Sequence, residues 1–171
     1  MFNSSNDLND VEKSKDSTLM TFEYPISIDE HKYVCWFSYV PTIEKTKVDF
    51  DRVRQEINLE TVPGFVIDFD TDENLRNLTP FAKSPDNKLS VQQLRALCIQ
   101  VSEKVRAVHR SYPNCTFLAE PETKEHIVLY KRWIIPYLQK RGFDYKLLRH
   151  FGVDNLFVFR EVGGDGTIQW K

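Results

Sequence analysis

The sequence predicts an α+β fold: a mostly antiparallel sheet, two main helices and a disordered N-terminal arm. Three observations carry this. Residues 21–40 hold two β-prone runs separated by Asp29-Glu30-His31, the pattern of a hairpin. Residues 90–111 repeat apolar side chains at helical spacing behind a Ser90/Gln93 capping box. Between that helix and a second one stands the short apolar run Cys115–Ala119, which suits a strand covered on both faces. With 171 residues and 41% hydrophobic content the chain can fill one core but hardly two. Residues 1–19 are therefore read as an arm and 20–171 as a single domain.

Residues 1–19 have little apolar content and no period, as expected of a disordered, mildly acidic segment. From Thr21 the run TFEYPISI places Phe22, Tyr24, Ile26 and Ile28 on one face. Pro25, which lacks a donor, assigns it to a sheet edge. The aromatic and β-branched run KYVCWFSYV returns antiparallel to it. Residues 42–60 fit a short helix after Asp49 or irregular structure, with a third strand as the alternative. Phe65, Ile67 and Phe69 alternate with Val66, Asp68 and Asp70 in a half-buried strand, and Leu75 and Leu78 mark one helical turn before Pro80.

In the helix at 90–111, Leu94, Leu97, Cys98, Val101, Val105 and Val108 form the apolar stripe, and Arg95, Glu103, Arg106 and Arg110 lie opposite. The second helix, about 122–141, repeats apolar positions from Ile127 to Leu138 and stops at Gly142. Pro136 should bend it without ending it. Residues 144–154 read as a loose bridge. Leu156–Val162 and Thr167–Trp170, joined by Gly163-Gly164-Asp165-Gly166, form the last predicted hairpin.

Composition narrows the functional classes. Three widely spaced cysteines without a CxxC pair suggest buried thiols in a reducing cytoplasm, neither a disulfide framework nor a zinc site. The apolar runs are too short to span a bilayer, so no membrane association is expected. The histidines are dispersed, and the tight acidic set Asp68, Asp70, Asp72 and Glu73 lacks the glycine and distal glutamate of a calcium loop, so it reads as a solvated turn and no metal is expected. Residues 1–89 carry 17 acidic against 10 basic side chains, and residues 90–150 carry 11 basic against 5 acidic. That asymmetry fits either recognition of another protein through Asp7, Asp10, Asp16, Asp70 and Asp72 or two halves that complement each other within the folded domain. Its counterpart is a basic set, Arg106, Arg110, Lys131, Arg132, Lys140 and Arg141, able to attract nucleic acid if one face gathers it.

Two resemblances follow from particular residues. The order strand, helix, Gly-Phe, strand from Cys115 to Val162 is similar to the C-terminal half of the GNAT acyltransferases, where a helix ending in Tyr-x-x-x-Gly-Phe follows the fifth strand. Here Tyr137-Leu-Gln-Lys-Arg-Gly142-Phe143 is one residue longer. The resemblance implies acetyl-CoA as cofactor and Tyr137 as general acid. The family's glycine loop for the pyrophosphate has no match, because the corresponding SPDNKLSVQQL contains no glycine. The second resemblance is to small uncharacterised bacterial and phage α+β domains, through Pro113, Phe117, Thr123 and Leu129-Tyr130-Lys131-Arg132-Trp133-Ile134. It implies an immunity-, antitoxin- or phage-defence-related setting. The expected function is a non-catalytic protein-binding module without a cofactor, with a degenerate GNAT-like acyltransferase and a nucleic-acid-binding protein as alternatives.

Overall fold

The computed structural model describes residues 21–40, 64–78, 88–113, 115–121, 123–150 and 153–162. The arm at 1–19, the segment 42–60 and the predicted hairpin across 163–170 lie outside the described residues. Among the described residues six strands form one sheet in the order β1-β2-β3-β4-β6-β5. They are β1 (Thr21–Ile28), β2 (His31–Val40), β3 (Gly64–Thr71), β4 (Thr116–Ala119), β5 (Phe143–His150) and β6 (Val153–Glu161). Every pair is antiparallel except β3–β4, so the fold is α+β as the sequence predicts. Pro25 sits in β1, at the sheet edge. Asp29, at φ +52°, supplies the left-handed residue of the two-residue turn into β2, a conformation a short polar side chain tolerates.

Helix α1 (Asp72–Arg76) follows β3 directly, and α2 (Val91–Ser111) is the long helix. Ser90 Oγ accepts from the Gln93 N–H while Gln93 Oε1 accepts from the Ser90 N–H, completing the capping box. The second helix has three parts: α3 (Lys124–Leu129), a π-helical turn (Tyr130–Ile134) and α4 (Ile135–Gln139). The chain stays helical through Pro136, and the winding changes from π to α at Ile135, whose N–H donates to the Tyr130 carbonyl. A proline that cannot donate is thus absorbed by rewinding the preceding turn. Gly142, at φ +87°, ends the helix. A Cβ there would meet nothing within 4 Å, so glycine is favoured by backbone conformation and not by crowding.

One face of the sheet and both main helices share the core. Cys35, Phe37, Phe65, Ile67, Phe69 and Phe117 meet Leu97, Val101 and Val105 of α2 and Tyr130, Ile134 and Leu138 of the second helix. Leu118, Leu156 and Val158 alternate with the core-facing residues of β4 and β6 and are buried on the opposite face. Residues 143–150 form β5, a correction to the loose bridge expected there. Leu147 packs against the core while Leu148 is buried on the opposite face, and the pairing with β6 shifts register only after them, between Leu148 and Arg149. No helix among the described residues is long and apolar enough to cross a membrane.

Candidate functional site

Two places combine polar chemistry with defined geometry. The first is the end of the parallel pair. Its ladder comprises Gly64↔Thr116, Phe65↔Phe117 and Val66↔Leu118, after which β3 continues to Thr71 while β4 stops at Ala119. The first turns of the second helix lie beside that extension of β3. Thr123 Oγ1 caps α3 by accepting from the His126 N–H, the His126 ring is 5.6 Å from Phe69, and the Tyr130 ring is 6.2 Å from Phe69. Tyr130 stacks on Phe157 and Phe159, and burial, aided by Asp68, holds its hydroxyl well above the usual tyrosine range. It stays protonated. Burial also pushes the Cys98 and Cys115 thiols up to about 12, which makes both inert as nucleophiles near neutral pH.

The N-terminus of α2 is where the acyltransferase resemblance sets a pyrophosphate loop. Here the Ser90 and Gln93 N–H groups are already taken by the capping box, and Gln93 Nε2 donates to Asp29 Oδ2 at 2.8 Å. A carboxylate thus stands where an anionic ligand would be expected.

The second place lies between α2 and the second helix. The Tyr137 hydroxyl donates to Glu103 Oε1, and Arg106 Nη1 donates to both oxygens of Glu103 at 3.0 and 3.1 Å. Arg141 lies over the Tyr137 ring, its Cζ 3.3 Å from the centroid, and its Nε is 3.7 Å from Glu103. Position along the helix explains this. Leu138, four residues before Gly142, is 1% exposed and faces the core, so Tyr137, one residue earlier and rotated by about 100°, faces α2 instead. Burial acts to raise the Glu103 carboxyl, but the hydrogen bonds from Tyr137 and Arg106 and the charges of Arg106 and Arg141 prevail and hold it below its ordinary 4.5. Burial and the bond to Glu103 raise Tyr137.

A group whose folded pKa is depressed contributes stability above its unfolded value and loses it as pH falls through the folded one. Wild type is therefore expected to lose stability more steeply below pH 4.5 than a Glu103→Gln variant. Urea unfolding at a series of acidic pH values checks this, and parallel profiles would show that Glu103 is uncoupled from its partners.

Next to this network the two helices enclose a groove of about 320 Å³. Arg95 and Ile99 line it from α2, and Arg132, Trp133, Pro136, Tyr137, Lys140 and Arg141 from the second helix. Of the predicted basic set, Arg132, Lys140 and Arg141 come together here, Arg106 binds Glu103 at its margin, and Arg110 and Lys131 are exposed away from it. Arg95 was not part of that set. The signal was its spacing from Ile99 and Glu103, four and eight residues on, which puts all three on the side of α2 facing the second helix.

The acidic set is not gathered in the same way. Asp70 is 6% exposed, and its carboxylate accepts from the Thr71 N–H at 2.7 Å and from Asn74 Nδ2 at 2.9 Å. The solvated turn expected there is corrected at this residue, which is fixed by the β3–α1 junction. Asp72 pairs with Arg76 one helical turn on. Asp7, Asp10 and Asp16 lie outside the described residues. Among the described residues no three His, Cys, Asp or Glu side chains converge to hold a metal ion. No protein-family model, curated protein or solved structure matches the chain.

Proposed function

We propose that this chain is a degenerate GNAT-like acyltransferase domain that binds an acyl-coenzyme A thioester where the β3–β4 pair ends. The supporting observation is the order of elements around that pair. A long helix (α2), a strand (β4), a helix closing at Gly142-Phe143 and a further strand (β5) follow one another as the resemblance implies. In open sheets the crevice beyond the carboxyl ends of parallel strands is the favoured ligand position. The domain is degenerate in two respects: the α2 N-terminus is closed by Ser90, Gln93 and Asp29, and Tyr137 is engaged with Glu103. Binding without Tyr137 as general acid is therefore the expected behaviour.

Heating the protein with and without acetyl-CoA tests this reading. Specific binding at a hundred times the dissociation constant should add about 2.7 kcal/mol, a rise of about 5–10 °C in Tm for a domain of this size. No rise at millimolar acetyl-CoA would overturn it. The three free, buried thiols favour a reducing, cytoplasmic compartment. A non-catalytic protein-binding role, in an immunity-, antitoxin- or phage-defence-like setting, rests on a different observation, the cationic groove.

A further inference from the structure

We propose that the groove between α2 and the second helix docks an acidic segment of a partner protein. The groove opens away from the sheet, since Leu97, Val101, Ile134 and Leu138 of the same helices are buried in the core. It is therefore separate from the end of the β3–β4 pair and does not depend on the acyl-CoA reading.

Its charge is unbalanced. Arg141 is offset by Glu103, but Arg95, Arg132 and Lys140 have no carboxylate within ion-pair distance among the described residues. Cations crowded along one trough repel each other, and an incoming carboxylate relieves that repulsion. Two of them are also held in place. Arg132 sits over Trp133 with its Cζ 5.0 Å from the ring centroid, and Arg141 covers Tyr137 while donating to the Tyr137 carbonyl at 3.1 Å. A guanidinium stacked on a ring keeps its N–H edge for a planar oxyanion and loses less side-chain entropy on binding.

Spacing and ring coverage select the ligand. Arg132 and Lys140 are eight residues apart, about 12 Å along a helix, and an extended chain covers about 13 Å in four residues. Carboxylates four positions apart on an extended acidic segment therefore reach both cations. Single-stranded nucleic acid binds by laying bases on open aromatic faces as well as by charge. Trp133 and Tyr137 each already carry a guanidinium, so the groove lacks that platform.

Fluorescence anisotropy of a labelled octaglutamate peptide with the full chain decides the matter. Saturable binding is expected, weakening at high salt and falling about tenfold or more when Arg95→Gln, Arg132→Gln and Lys140→Gln are combined. These side chains are exposed, so circular dichroism should be unchanged, and Lys131→Gln, on the same helix but off the groove, should bind like wild type. The acetyl-CoA stabilisation should survive the triple substitution, so that the two readings fail separately. Equal binding by wild type and triple variant, absence of saturation, or tighter binding of a labelled octauridylate RNA would each overturn the proposal.

Discussion

Truncation of Phe117 to alanine is expected to cost about 3–5 kcal/mol, the range for removing a buried aromatic side chain from a filled core. Phe117 is 0% exposed, and its ring meets Phe37, Phe65 and Phe143, from β2, β3 and β5, at centroid separations of 6.1, 6.0 and 6.4 Å. Its backbone pairs with Phe65 on one side and Phe159 on the other, so the cavity would open in the middle of the sheet, where neighbours are held on both edges and cannot collapse inward. Phe117→Leu should cost under about 2 kcal/mol because most of the volume is retained. Urea unfolding of the two variants against wild type gives the comparison. A loss under about 1 kcal/mol for the alanine variant would mean that the site repacks freely.

The second large effect concerns Asp70. Replacing it with alanine removes the acceptor for the Thr71 N–H and for Asn74 Nδ2, and leaving such donors unsatisfied costs about 1–3 kcal/mol. Asp72→Asn, which touches an i,i+4 pair whose arginine is well exposed, should stay within about 0.5 kcal/mol. Adding Asn74→Ala to each of the two completes a double-mutant cycle, in which coupling is expected with Asp70. Equal effects of the two aspartates would show that both are surface charges.

Asp70 also shows where sequence reasoning reached its limit. Alternation along Phe65, Ile67 and Phe69 correctly identified the core face of β3 and put Asp68 and Asp70 together on the other. That Asp70 is buried depends on α1 starting immediately after the strand, with Asn74 brought back over it. The hairpin β1–β2 and helix α2 were legible because period, turn and cap all agree along contiguous residues. Strand β5 was not, because the sheet is buried on both faces there, so Leu147 on the core side and Leu148 on the other give an apolar pair with no one-sided alternation. For the candidate site, the basic residues of the second helix and the shared side of Arg95, Ile99 and Glu103 on α2 could be read from the sequence, but that this side faces the second helix could not. Nor could the orientation of Tyr137, since it depends on Leu138 facing the core behind a π turn that leaves no periodic signature.

The three-pair ladder between β3 and β4 has a kinetic meaning. Strands β1 to β3 come from residues 21–71 and strands β4 to β6 from residues 116–161, so the sheet consists of two sequence-contiguous antiparallel plates joined along one short seam. Bringing the seam together closes a loop of about fifty residues, an entropic charge of about 3–4 kcal/mol before any constant term. Three register pairs offset little of that. The bridging falls to the two main helices: in α2, Lys104 lies over Tyr24 of the first plate and His109 meets Phe143 and Glu161 of the second, and in the second helix Tyr130 lies against Phe69 of the first and Phe157 and Phe159 of the second. Docking of those helices, more than strand pairing, is then the event that commits the two plates to one another.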